Sequence, residues 1–194
     1  MRIVAGQYRG RTIKAPAGDA TRPTTDRVRE AVFSAIASIA GTDLGGGVVL
    51  DAFAGSGALG LEALSRGCSH AVFVDDDRHA LSTIKDNVSA LSAQADATVL
   101  SGDVVALVER GRLARAPYSL LLLDPPYRLD AARVASLVAS IARNGQLVDG
   151  AVVVWEHATG VSVEWPEGFS EPKTKRYGTT EVDIAVFDRG HRTK

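Results

Sequence analysis

The chain is expected to fold as a doubly wound α/β protein, a mostly parallel sheet with helices on both faces. Three observations predict this. From residue 48 onward, short apolar segments alternate with helical patterns, the rhythm of parallel strands joined by crossover helices. Ser119 to Leu123 is a nearly unbroken apolar run, which suits a strand covered on both faces. A glycine-rich loop (Gly55, Gly57, Gly60) directly follows the first of these strands and opens a helix.

Residues 2–15 read as two short strands, Ile3-Val4-Ala5 and Thr12-Ile13-Lys14, around a Gly6…Gly10 turn. A hairpin this small is marginal alone and must pack on something. Pro23 biases Arg22 away from helix. Thr25 is then the candidate N-cap, with Asp26 favourably placed in the first turn. Val28, Val32, Ile36 and Ile39 form an apolar stripe at helical spacing, predicting a helix over about 26–40. Gly41 and the Gly45-Gly46-Gly47 run end it. Strands are expected at 48–50, 71–74, 98–100, 119–123 and 151–155, alternating with helices at 58–66, 78–91, 104–112 and 131–143. Strand-like segments near 161–165, 172–177 and 182–187 follow with no helical pattern between them. Tyr177 to Glu181 reads as a turn, so the last two should form an antiparallel hairpin on the sheet edge.

The 194 residues are 45% apolar and 23% charged, an ordinary globular composition that argues against disorder. The longest uncharged run, Ala31 to Thr42, is 12 residues, short of the roughly 18 that cross a bilayer. No apolar leader follows the N-terminal arginines, and a single cysteine, Cys68, rules out an internal disulfide or a thiolate cluster. The cytoplasm is the expected compartment. Charge is unevenly spread. Residues 1–29 carry seven basic side chains against two acids, on a chain whose total is −1. A basic arm on an acidic body suits a polyanionic partner held by the N-terminus, although a solvated charged segment would look the same.

Two constellations carry chemistry. In Asp51-Ala-Phe-Ala-Gly55-Ser-Gly57-Ala-Leu-Gly60 the glycines allow a tight turn and close approach of a ligand to a helix N-terminus. Asp75 ends the second strand 20 residues after Gly55, where a carboxylate can accept both hydroxyls of a ribose. Asp51 discriminates between cofactors. A carboxylate there would oppose a dinucleotide pyrophosphate but attract the ammonium and sulfonium of S-adenosylmethionine, unless it merely caps local amides. The second is Asp124-Pro125-Pro126-Tyr127, at the C-terminal end of the apolar fourth strand and so at the ligand crevice. An exocyclic amine on a planar base is a poor nucleophile. Asp124 and a prolyl carbonyl can each accept one of its hydrogens, localising the lone pair, and Tyr127 offers a face on which the base stacks.

These motifs resemble a class I AdoMet-dependent methyltransferase of the amino-group type. Arg2-Ile3-Val4-Ala5-Gly6, Arg9-Gly10-Arg11, Arg22-Pro-Thr-Thr-Asp-Arg-Val-Arg-Glu30 and Gly55 to Arg66 resemble the bacterial RsmD family over nearly the whole chain. The resemblance implies a Rossmann-like, mostly parallel seven-stranded sheet. It implies a basic β-hairpin extension over 1–25 and a methyltransferase domain over 26–194. It further implies transfer of a methyl group from S-adenosylmethionine to N2 of a guanine in 16S rRNA, within the small subunit or its late precursor, by a monomer needing no metal. The family often has Phe where Tyr127 stands and Glu where Asp75 stands. On this reading Asp124, Pro125 and Tyr127 are catalytic, and Asp51, Gly55, Gly57, Asp75 and Asp103 bind cofactor. Asp103 is equally a helix N-cap. Arg9, Arg11 and Lys14 are phosphate contacts, while Arg22, Arg27 and Arg29 touch RNA or close over the cofactor. His70, His79, His157 and His191 lack ligand spacing, and Trp155 and Trp165 read as core. A DNA adenine-N6 methyltransferase would use the same four-residue loop but needs a target-recognition region for which this chain lacks room. A noncatalytic assembly factor would not need Asp124 and Tyr127, and an NAD oxidoreductase conflicts with Asp51.

Overall fold

The computed structural model describes residues 1–15, 26–40 and 44–190. Arg22, Pro23, Thr24, the Thr25 cap, Gly41 and the tail residues His191, Arg192 and Lys194 lie outside them. Helix α1 (Asp26–Ala40) leads into β1 (Val48–Asp51), α2 (Ala58–Ser65), β2 (His70–Asp75) and α3 (Arg78–Ala90). A 3-10 turn then precedes β3 (Ala97–Ser101), α4 (Val104–Glu109), β4 (Tyr118–Leu123), α5 (Ala131–Arg143), β5 (Leu147–Ala158), β6 (Lys173–Tyr177) and β7 (Thr180–Val186). The seven strands form one sheet in the order β3-β2-β1-β4-β5-β7-β6, parallel through β5, with β7 antiparallel to both its neighbours. The chain runs outward one way from β1 and the other way from β4, so the topological switch point lies between these two strands.

Strand alternation explains the core. Leu120, Leu122, Val152 and Val154 face α1, α2 and α3, while Leu121, Leu123, Val153 and Trp155 face α4 and α5. Both faces are covered, so β4 needs apolar residues at nearly every position. Two segments depart from expectation. β5 begins at Leu147, four residues early, because Leu147 pairs with Tyr118 ahead of a register shift and the Gly150 N–H bonds the Phe187 carbonyl. Residues 161–165 form no strand. Val163 and Trp165 instead cover the α5 face, where the Trp165 ring packs on Trp155 and Phe169 at 5.9 and 5.6 Å.

The N-terminal hairpin is minimal, with one bridge between Arg2 and Thr12, but Ile3 and Ile13 are buried in the core shared by α1 and α2. A fully buried carboxylate ties it down. Glu62 on α2 accepts the Val4 and Ala5 N–H groups at 2.9 and 3.0 Å, Arg66 Nε at 2.8 Å and Arg29 Nε at 3.4 Å. Arg29 also donates to Asp26 Oδ1 at 2.8 Å and to the Arg2 carbonyl. This corrects the expectation that Arg29 contacts RNA. Its guanidinium is fully buried because it neutralises Glu62. Glu62→Gln keeps the shape but removes the charge from four hydrogen bonds, and is expected to destabilise the fold by about 2 kcal/mol. The urea midpoint measures it, and an unchanged midpoint would remove Glu62 as the anchor.

Candidate active site

The C-terminal edge of the parallel strands holds a cavity of about 460 Å³, lined by Gly55, Asp75, Asp103 and Asp124 among others. Each arrives there for a local reason. Gly57 adopts φ +78°, opening α2 in a backbone conformation that disfavours a side chain, and it faces Phe73 and Ile84 rather than the cavity. Gly60 lets α2 lie against β2, since a Cβ there would meet the Phe73 ring at 2.4 Å. Asp75 Oδ2 accepts the Gly55 N–H at 2.8 Å and Oδ1 accepts the Asp77 N–H at 2.9 Å, so this carboxylate shapes the glycine loop. Each oxygen keeps a lone pair for a further donor. Asp103 caps α4 by accepting the Ala106 N–H at 2.9 Å, and still lines the cavity.

Asp51 is buried at the end of β1 and does not line the cavity. Its Oδ2 accepts the Gly60 N–H at 2.9 Å, while Oδ1 is buried without a partner. Burial, opposed by the Gly60 bond and reinforced by the Asp75 charge, pushes its carboxyl up to about 7. Asp124 follows β4 and is raised well above the ordinary carboxylate range by burial, then by the charges of Glu156 and Asp51. Burial also raises Asp75, against the bonds from Asp77 and Gly55 and with the charges of Asp76 and Asp77. A carboxylate-rich crevice of this kind suits a cationic nucleoside and repels a pyrophosphate. Arg128 and Arg133 line the same cavity and can answer a carboxylate.

Beside it, Pro125, Tyr127, Glu156, His157 and Val161 line a smaller cleft. Among the described residues, Tyr127 (66%) and Val161 (39%) stand out as exposed large hydrophobics, and both border this cleft. Trp155 is buried beneath it.

The family model described as "Conserved hypothetical protein 95" matches residues 1–186. "Putative rRNA methyltransferase YlbH" of Bacillus subtilis is 37% identical over 187 residues, covering 95% of this chain and 97% of that protein. This chain belongs to the RsmD family. "Ribosomal RNA small subunit methyltransferase D" of Escherichia coli K12 is 36% identical over 156 residues, 80% of this chain and 74% of that protein. The solved "Putative methyltransferase yhhF from Escherichia coli" superposes with a TM-score of 0.79 at 30% identity, covering 97% of this chain and 98% of that one. Family members share the class I methyltransferase fold, and the chain is an enzyme of that type.

The remaining basic residues lie away from the cavity. Arg9 and Arg27 are exposed. Arg11 bonds the Ala90 carbonyl, and Lys14 pairs with Asp86 at 2.7 Å, so both lean on α3. Sequence reasoning missed Arg128, Arg133 and Glu156. Glu156, within β5, carries no sequence signal of its own, because its place beside Asp124 depends on the pairing of β5 with β4.

Proposed function

We propose that the chain transfers a methyl group from S-adenosylmethionine to N2 of a guanine in 16S rRNA of the small ribosomal subunit, acting as a monomer. The observation that carries this reading is the Asp124-Pro125-Pro126-Tyr127 loop at the switch point, with an acid in the crevice and Tyr127 exposed over the adjoining cleft. When bound, S-adenosylmethionine supplies a methyl carbon made electrophilic by its sulfonium. Asp75 would hold the ribose hydroxyls with its remaining lone pairs, and the second oxygen of Asp103 would accept from the adenine amine. The unpartnered Asp51 Oδ1 leaves negative charge beneath the loop, which favours a cation above it. The target guanine stacks on Tyr127. Asp124 and the Pro125 carbonyl each accept one N2 hydrogen, turning the lone pair toward the incoming carbon. Asp124 then takes the proton that the methylated nitrogen sheds. Its raised affinity for protons suits it to that task. With the cofactor in the adjoining cavity, fixing the amine against Tyr127, Asp124 and the Pro125 carbonyl would provide much of the acceleration.

The test is labelled methyl transfer to small subunits from cells lacking the activity, followed by nucleoside analysis, with naked 16S RNA and DNA in parallel. Label in N2-methylguanosine from particles is expected. Label in N6-methyladenosine or DNA would discard the substrate reading, and cofactor binding without any transfer would point to a scaffold.

A further inference from the structure

Two acceptors that hold an exocyclic amine cannot identify the base that carries it. Adenine N6 and guanine N2 both present two hydrogens, and both lie beside ring atom N1. The difference is at N1, which is a bare lone pair in adenine and an N–H donor in guanine. A site for guanine therefore needs a third acceptor next to the first two.

Glu156 occupies that place. Leu123 and Trp155 are register partners on β4 and β5, so Asp124, the residue just past β4, lies beside Glu156, which sits within β5 two residues before its end. Neighbouring strands run about 4.8 Å apart, a spacing that lets two carboxylates address adjacent donors on one base edge. The Glu156 charge is felt at Asp124, where it contributes to the raised carboxyl after burial. Glu156 also lines the cleft with Pro125 and exposed Tyr127, the surfaces assigned above to the base.

We infer that Glu156 is the residue that selects guanine, accepting the N1–H while Asp124 and the Pro125 carbonyl take the N2 hydrogens. The inference rests on guanine being the methylated base. Against adenine the same carboxylate would meet a lone pair, leaving two acceptors opposed with no proton between them.

The test replaces the mapped target guanosine in reconstituted small subunits by 2-aminopurine riboside, which keeps the C2 amine but turns N1 into an acceptor. Wild-type kcat/KM is expected to fall by about 10²-fold or more on the analogue. Glu156→Gln, whose amide can also donate, should narrow that ratio to less than about tenfold while its AdoMet affinity stays that of wild type. Equal wild-type rates on guanine and 2-aminopurine would overturn the inference without any variant. So would a Glu156→Gln protein slowed equally on both, because a structural role predicts uniform loss. Wild-type protein that leaves guanine unmethylated would overturn the proposed function itself, and this assignment with it.

Discussion

Asp124→Ala is expected to lower the rate of methyl transfer by about 10³-fold or more while AdoMet affinity stays within about tenfold of wild type. The two halves have separate causes. The carboxylate accepts one amine hydrogen and later a proton, and alanine does neither. Cofactor affinity survives because Asp124 addresses the amine of the base, while the cofactor is assigned to Asp75 and Asp103. Burial, then the charges of Glu156 and Asp51, raise its carboxyl well above the ordinary range, so removing it also relieves its repulsion with those neighbours. Asp124→Asn separates the two duties. Its amide oxygen still accepts a hydrogen but takes no proton, so it should fall between alanine and wild type. Single-turnover rates at saturating AdoMet, with calorimetric binding alongside, read both quantities. Unchanged turnover in Asp124→Ala would overturn the mechanism.

The crevice was legible in the sequence because its residues sit where strands end, and strand ends are marked by composition. Apolar runs stop at Asp51, Asp75 and Asp124, and the structure puts all three at one edge of the sheet. Helix α1 was equally plain, since Val28, Val32, Ile36 and Ile39 repeat at a helical period. Other features were hidden for physical reasons. Val161, Val163 and Trp165 alternate as a strand would, but Val163 and Trp165 pack on the α5-face core while Val161 is exposed, and the backbone there joins no ladder. Arg29 was counted with the basic arm because composition cannot tell a solvated arginine from a neutralised one. Its partner offered a clue. Glu62 lies between Leu61 and Ala63 in a helix buried almost throughout, where a lone carboxylate implies a buried cation nearby. Glu156 was passed over for another reason. Its role depends on which strand lies beside β4, and the strand order is a property of the folded sheet.

Asp51→Asn is expected to strengthen the ligand-free fold and weaken AdoMet binding. In the folded protein the Asp51 carboxyl is pushed up to about 7, mainly by burial, from the ordinary carboxylate value of 3.8. Between those values the native state holds a proton that the unfolded chain has released. Stability therefore falls as pH rises from about 4 through about 7, and the loss is complete above the folded value. A shift of that size corresponds to about 4 kcal/mol. Asparagine carries no such proton. At pH 8 the variant should be more stable by up to about 4 kcal/mol, less about 1–3 kcal/mol for amide hydrogens left without partners. At pH 4.5 the proton-linked penalty is only about 1 kcal/mol, so the advantage should vanish or reverse. The same substitution removes a carboxylate from beneath a bound cation, which at an effective dielectric near 20 weakens AdoMet by about 10²-fold. Wild-type AdoMet affinity should itself rise with pH through about 7, with proton release on binding, because a cation favours the ionised carboxylates. S-adenosylhomocysteine lacks the sulfonium charge and should show a shallower dependence. Denaturant melts at the two pH values and calorimetry with both ligands measure these effects. Stability independent of pH between 5 and 8, or full AdoMet affinity in Asp51→Asn, would sink the account. The expected outcome ties the two properties to one cause: the buried, half-satisfied carboxylate that weakens the empty protein is the one whose charge a cationic ligand relieves.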